Sequence, residues 1–163
     1  TLPDMSIPLA YPSSYILRIF SLSLSSLEKP SVESGRMTIT LPSGRKLYYI
    51  APQLGLNRWG NPSITYMGVN DKNKWGRIET YGGKLVENCV QAIARDCLAQ
   101  AIEHLEEAGL PVIFHIHDEV VIDCPPDAAT LEEVVRIMSR PIPWAPGLPL
   151  GADGWVGTFF KKD

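Results

Sequence analysis

Two adjacent carboxylates, Asp118 and Glu119, follow His117 and are the residues of this sequence best suited to chemistry. They lie between two short apolar runs, at 113–116 and 120–122, that are rich in β-branched side chains and have strand-like lengths. The gap between the runs has room only for a tight turn, so we predict a β-hairpin with the acidic residues at its tip. Carboxylates with apolar flanks suit a bound metal ion, and the alternative is a turn that is merely acidic.

A long amphipathic helix is predicted immediately before this hairpin. Between residues 84 and 108, apolar side chains recur with the 3.6-residue period of a helix. Gly109 is a stop signal and Pro111 prevents continuation, so the helix leads directly into the hairpin. Some of its polar side chains share one face, which is either simply solvated or able to read base edges. They are Lys84, Asn88, Gln91 and Arg95.

The rest of the sequence predicts further strands and one short helix. A Pro-Ser-Gly turn at 42–44 separates two alternating segments, which is a hairpin signal. Thr130 and Glu133 have the spacing of a capping box. The predicted fold class is α+β, an antiparallel β-sheet backed by a long helix and a short helix. The predicted segments are strands at 37–41, 46–50, 64–69 and 155–160, a loop at 51–62, a turn at 71–74 and a helix at 131–138.

The composition is that of a globular chain with one core. The 163 residues are 45% hydrophobic with a net charge of −3, and no apolar run approaches the ~18 residues of a membrane span. These short apolar runs predict no membrane partner. The three cysteines have no Cys-x-x-Cys pairing, so we expect a reducing, cytoplasmic location. Residues 1–35 are rich in Pro and Ser, and we expect a weakly anchored N-terminal segment there.

The charge is unevenly distributed along the chain. Residues 36–84 carry eight Lys or Arg against two Asp or Glu, a net of +6, whereas residues 85–163 have a net of −8. A basic stretch with interleaved aromatic side chains predicts a surface that tracks phosphates, and the alternative is a β-rich flap with ordinary charges. The aromatic residues are Tyr48, Tyr49, Trp59, Tyr66 and Trp75.

Four segments together resemble a known family. Residues 81–96, which read Tyr-Gly-Gly-Lys-Leu-Val-Glu-Asn-Cys-Val-Gln-Ala-Ile-Ala-Arg-Asp, are followed by His-Asp-Glu at 117–119. These two motifs resemble the C-terminal palm of family A DNA polymerases, the DNA polymerase I family. The segments at 41–49 and 75–80 are similar to the phage and prophage type. The resemblance covers residues 36–163 and implies the C-terminal palm portion of a DNA-directed DNA polymerase, a nucleotidyltransferase of DNA replication.

The resemblance implies a role for each matching residue. Asp118 matches the second metal-binding aspartate of the family and Glu119 the adjacent acidic residue, so both are expected to hold Mg²⁺. His117 matches a residue near the primer terminus, and these three form the expected catalytic set. Gln91 matches a glutamine that lies along the minor groove of the primer–template. The expected DNA-binding residues are Gln91, Lys84, Asn88, Arg95, Arg77 and Arg45, and the expected substrates are primer–template DNA and dNTP.

The first catalytic aspartate and the fingers helix of the family have no counterpart in this sequence. We therefore expect a partner, the upstream half of the polymerase, and no activity from the isolated chain. Two other functions stay open. One is a metal-dependent hydrolase that uses His115 and His117 with Asp118, since His-x-His places both imidazoles on one face of a strand. The other is a non-catalytic remnant of a palm that binds DNA or a protein.

Overall fold

A computed structural model describes residues 30–57 and 59–160 in full, together with the main chain of residues 4–8. The chain divides into two compact units, one of Ser23–Ile93 and one that joins Thr1–Leu22 to Ala94–Asp163. The predicted boundary at residue 35 lies in a segment of which only residues 4–8 and 30–35 are described. No helix in the described part of the chain is long and apolar enough to cross a membrane.

The first unit contains a five-stranded antiparallel sheet in which each strand pairs with its neighbours in the sequence. The alternation of the sequence puts Met37, Ile39 and Tyr49 on one face, where all three are buried. The strands are β2 (Ser31–Glu33), β3 (Arg36–Thr40), β4 (Lys46–Leu56), β5 (Pro62–Val69) and β6 (Trp75–Thr80).

The predicted loop at 51–62 is wrong in its first half, because β4 continues to Leu56. Ala51 has a φ of 47°, and the register between β4 and β5 shifts between Ile50 and Gln53. A bulge of this kind inserts a residue without ending the strand, so the Ala-Pro pair at 51–52 bends β4 where the sequence indicates a break.

The long helix, α1 (Gly82–Glu107), begins in the first unit and ends in the second. In the first unit its buried side chains are Cys89 and Ile93, and in the second they include Leu98, Ala101 and Leu105. This is the apolar stripe that the helical period predicts. The predicted α+β class, with an antiparallel sheet, a long helix and a short helix, is confirmed.

The second unit contains a four-stranded antiparallel sheet, whose order is β7 (Val112–Ile116), β8 (Glu119–Asp123), β1 (Asp4–Pro8) and β9 (Trp155–Gly157). The core of this unit joins Leu105 of the long helix, Val120 and Ile122 of β8, and Val134 and Met138 of the short helix. The short helix begins as predicted, because Thr130 and Glu133 form the reciprocal bonds of a capping box. This short helix is α2 (Leu131–Met138). The last strand is shorter than the predicted 155–160.

Candidate active site on the β7–β8 hairpin

The acidic motif occupies the tip of the predicted hairpin. Ile116 of β7 pairs with Glu119 of β8, which leaves His117 and Asp118 as a two-residue loop. Both loop residues are exposed and Glu119 is half-buried. His117 has a φ of 53°, a left-handed conformation that two-residue hairpin loops usually assign to glycine, asparagine or aspartate. The loop therefore holds an imidazole and a carboxylate in solvent on adjacent residues.

A strand with three buried central residues supports this loop. The side chains of Val120, Val121 and Ile122 in β8 are at most 2% exposed, and β8 is flanked by β7 and β1. Val120 and Ile122 belong to the same packed cluster as Leu98 of α1. A two-residue loop between two paired strands varies less in position than a long loop, so packing of β8 restricts where Asp118 lies.

The end of α1 directs the chain into this hairpin. Gly109 has a φ of 77°, and the Leu110 amide donates to the Leu105 carbonyl at 3.0 Å, as in a glycine-terminated helix. The backbone N–H of Val112, the first residue of β7, donates to Oε1 of Glu106 at 2.7 Å. The Gly-x-Pro stop signal and one helical carboxylate thus fix where β7 begins.

One residue of the predicted DNA-binding face lies beside β7. Nη2 of Arg95 is 3.3 Å from Nε2 of His115. A guanidinium can only donate, so Nε2 accepts in the tautomer that carries its proton on Nδ1. Both side chains are exposed, and Arg95 therefore belongs to the same surface of the second unit as the strand that leads into the acidic loop.

The hydrolase alternative gains no support from this geometry. Because β7 ends at Ile116, His117 lies in the loop and does not share a strand face with His115. Among the residues that the structure describes, no three His, Cys, Asp or Glu side chains come together as a set of metal ligands.

The strand on the other side of β8 brings no acidic residue beside the turn. Pro8 of β1 is opposite Glu119, and Asp4 is opposite Asp123 at the far end of β8. Four residues of extended chain separate these two positions by about 13 Å. Within the described residues, the carboxylates at the tip are therefore those of Asp118 and Glu119.

The polar face of α1 in the first unit is organised around Glu87. Nζ of Lys84 donates to Oε1 of Glu87 at 2.9 Å, and Nε2 of Gln91 donates to the same oxygen at 3.4 Å. The hydrogen bond between Lys84 and Glu87 raises the pKa of the exposed Lys84 ammonium. Asn88 differs, because it is half-buried and its Nδ2 donates to the Tyr49 hydroxyl at 3.2 Å. Lys84 and Gln91 are thus held at the surface, whereas Asn88 joins the helix to the sheet.

The other two predicted DNA-binding residues contact the protein main chain. Nη2 of Arg45 donates to the Ala92 carbonyl of α1 at 2.8 Å. Nη1 of Arg77 donates to Oγ1 of Thr65 at 2.9 Å and to the Ala51 carbonyl at 3.2 Å. Each guanidinium is fixed by these bonds while the residue stays exposed.

Two of the five aromatic side chains predicted for the phosphate-tracking surface lie on the buried face of the sheet. Tyr49 is 4% exposed, and its ring meets the half-buried Tyr66 edge-on with 5.0 Å between centroids. Burial raises the pKa of the Tyr49 phenol. Tyr48, Trp59 and Trp75 are exposed as predicted.

Comparison with known proteins gives one informative similarity. The chain is 52% identical over 132 residues to a protein described as DNA polymerase from Bacillus phage SP02. Most of the chain therefore resembles part of a phage DNA polymerase. The match covers 80% of this chain and 20% of the phage protein, so the chain spans about a fifth of its relative's length. No protein-family model and no solved structure matches the chain.

The predicted similarity to a phage DNA polymerase is confirmed by this comparison. The assignments to family A and to the palm stay predictions, as do the roles of the individual site residues.

Proposed function

We propose that the chain is a segment of a DNA-directed DNA polymerase of family A, the part of the palm that carries one metal-binding carboxylate turn. The complete enzyme transfers a nucleotidyl group from a dNTP to a DNA primer under the direction of a template. The observation that carries the proposal is the two-residue loop that exposes Asp118 at the end of the buried strand β8. The 52% identity to a segment of a phage DNA polymerase supports it independently.

The residues at the loop fit a partial site for Mg²⁺. This ion prefers oxygen ligands, and it is commonly bound by one or two carboxylates that leave positions for water and substrate phosphates. Asp118 is exposed and the adjacent Glu119 is half-buried, so Asp118 is the ligand and Glu119 assists it. Held by Asp118 with help from Glu119, such an ion would stabilise the negative charge that develops on the reacting oxygens.

The residues of this chain then position the nucleic acid and the ion. Gln91 lies along the minor groove of the primer–template, where a hydrogen-bonding amide can check the geometry of any base pair. Lys84 and Arg95 contact phosphates, and His117 lies near the primer terminus. The Arg95–His115 contact supports this arrangement in the second unit, because it holds a cation beside the strand that leads to Asp118.

The remaining parts of the catalytic site come from the rest of the polymerase. Asp118 and Glu119 are adjacent in the chain, so they supply one side of a two-metal site. Its other side requires a second catalytic aspartate, and nucleotide binding requires the fingers. The isolated chain is accordingly expected to bind Mg²⁺ weakly and to leave a primer unextended.

A chimeric enzyme tests the proposal. In this chimera, the chain replaces the matching segment of the Bacillus phage SP02 polymerase, and primer extension is measured with purified protein. Asp118→Asn is expected to lower the rate by roughly 10³-fold, because the ligand acts on transition-state charge. Glu119→Gln is expected to have a smaller effect.

Asp123→Asn is the matched control for this experiment. Asp123 is an exposed aspartate at the other end of β8, so its substitution removes the same charge from the same strand. The control is expected to extend primers normally. Equal rates for the Asp118→Asn and Asp123→Asn chimeras exclude Asp118 as a metal ligand and defeat the proposal.

A further inference from the structure

The five-stranded sheet of the first unit has two unlike faces. One face buries Met37, Ile39 and Tyr49, and the Asn88–Tyr49 hydrogen bond joins it to α1. Side chains alternate along a strand, so the residues between these point to the opposite face. There Tyr48 is 58% exposed, which is unusual for a large aromatic side chain in the interior of a sheet.

Strand register arranges the exposed side chains of this opposite face in rows. In one row, Arg36 pairs with Ile50, Ile50 with Met67, and Met67 with Arg77. Neighbouring strands are about 4.8 Å apart, so the two arginines are about 14 Å apart. Glu33 of β2 pairs with Arg36 and continues the row by one strand.

The adjacent row carries the aromatic side chains. Val69 pairs with Trp75, and Tyr48 is two residues before Ile50, which places it in the same row two strands away. The main chains at Tyr48 and Trp75 are therefore about 10 Å apart. Trp75 is 61% exposed and Val69 59%. We call this surface the aromatic–arginine face, and it comprises Arg36, Tyr48, Ile50, Val69, Trp75 and Arg77.

One arginine of this face is fixed against the sheet. The Arg77 guanidinium is held through Nη1 by the Thr65 hydroxyl and the Ala51 carbonyl. Thr65 points to the same face, since it is two residues from Met67 on β5. A guanidinium has five N–H donors, more than these two contacts use, so a phosphate can still be bound.

We infer that the aromatic–arginine face binds single-stranded DNA, with bases stacked on Tyr48 and Trp75 and phosphates paired with Arg36 and Arg77. A sheet that displays aromatic rings to solvent is a known platform for unpaired bases, because every base offers a flat π-surface. The net charge of +6 over residues 36–84 complements a phosphate backbone. That the bound strand is the template rests on the proposed function.

The pattern of charges and rings favours a nucleic acid over another part of the polymerase as the occupant. A protein surface would need acceptors for the unused N–H groups of both arginines as well as apolar side chains against both rings. A single strand instead offers phosphates at its edge and bases at its centre, which matches the row of two arginines beside the row of two rings.

The test is the affinity of the 163-residue chain for an unprimed, fluorescently labelled oligothymidylate at low salt, measured by anisotropy. Tyr48→Ala and Trp75→Ala are each expected to weaken binding by at least about fivefold, and the corresponding Phe variants to restore it. Trp59→Ala is the matched control, because Trp59 is 68% exposed but lies in the loop between β4 and β5. Its affinity is expected to equal that of the unsubstituted chain.

A salt series tests the arginines. Removal of one phosphate contact to a single strand lowers the slope of log affinity against log salt by about 0.7, and this is expected for Arg36→Ala and for Arg77→Ala. No measurable binding at low salt, or equal affinities for Tyr48→Ala, Trp75→Ala and Trp59→Ala, overturns the inference. So does a chimera in which all tryptophans other than Trp75 are replaced by phenylalanine and Trp75 fluorescence resists quenching by acrylamide without DNA, because the face is then covered by protein.

These outcomes are separable from those of the proposed function. Loss of single-strand binding in the face variants with full dependence of primer extension on Asp118 supports both. Normal single-strand binding in the face variants together with that dependence defeats this inference alone. Primer extension that is unchanged by Asp118→Asn defeats the proposed function. Whether the aromatic–arginine face binds single-stranded DNA is then decided by the affinity measurements alone.

Discussion

Replacement of His117 by glycine tests whether the left-handed backbone at residue 117 destabilises the β7–β8 hairpin. His117 has a φ of 53°, and a left-handed conformation costs an L-residue about 1–2 kcal/mol that glycine avoids. Glycine also makes the unfolded chain more flexible, which costs about 0.4–1 kcal/mol. His117→Gly should therefore leave the free energy of unfolding unchanged or raise it by up to about 1.6 kcal/mol, and in a chain of this size each kcal/mol raises Tm by about 2–4 °C.

The same substitution at the next residue should have the opposite effect. Asp118 does not have a positive φ, so Asp118→Gly only increases the flexibility of the unfolded chain and should destabilise by about 0.5–1 kcal/mol. A third variant, His117→Val, forces a β-branched residue into the left-handed region and should destabilise by at least about 1 kcal/mol. Urea unfolding of the three variants measures these changes. A His117→Gly variant that is less stable than Asp118→Gly refutes the reasoning, since the loop then does not need a left-handed residue at 117.

Other substitutions test the packing, the capping and the DNA contacts. Leu105→Ala removes a side chain that is fully buried in the second unit, and urea unfolding should show a loss of about 3–5 kcal/mol. Thr130→Ala removes the N-cap of α2 and should cost about 1 kcal/mol, whereas Thr130→Ser should cost little. Hydrogen bonds from the backbone and the hydroxyl of Thr130 lower the pKa of Glu133. The stabilisation from the Glu133 carboxylate should therefore be present above the ordinary glutamate pKa and be lost as the pH falls through the lowered pKa. Urea unfolding at a series of acidic pH values checks this. In the chimera, Gln91→Ala should weaken primer–template binding or mispair discrimination by about 1–3 kcal/mol, and normal values of both imply that this face is merely solvated. Lys84→Ala should mainly reduce the salt dependence of DNA binding, which a salt series measures.

The sequence predicts a helix well where apolar side chains recur with the helical period or where a start or stop signal is present. The apolar stripe, Gly109 and Pro111 predict α1 and its end, and the capping box at Thr130 predicts α2. The extension of β4 past Ile50 could not be predicted in this way. Ala51 and Pro52 have the composition of a strand end, and only the pairing with β5 turns them into a bulge.

The candidate site also has a part that the local sequence predicts and a part that depends on the fold. The hairpin tip at Asp118 follows from two apolar runs that leave room for a two-residue loop, so it is local information. The partners of the polar side chains are not local. Asn88 has the helical spacing of Gln91, yet it donates to Tyr49, which is 39 residues earlier in the chain. Arg45 likewise binds a carbonyl of α1 47 residues away. Such contacts depend on which sheet face meets the helix.

The register of the first sheet also required the structure. Alternation within β4 separates Tyr48 from Tyr49 and predicts that only one of them is buried. Alternation does not say that Trp75 lies in the row of Tyr48, because that depends on the pairing of β4 with β5 and of β5 with β6.

The most direct test of the central claim, that Asp118 is a metal ligand of a polymerase, is metal rescue of the Asp118→Cys chimera. Single-turnover primer extension is measured with Mg²⁺ and then with added Mn²⁺ or Cd²⁺. A thiolate is a poor ligand for Mg²⁺ and a good one for softer ions. The account predicts that the variant is inactive with Mg²⁺ and recovers extension with the softer ions, while Asp118→Ala does not recover. Equal extension by Asp118→Cys and the unsubstituted chimera in Mg²⁺, or recovery of Asp118→Ala to the same extent, contradicts it.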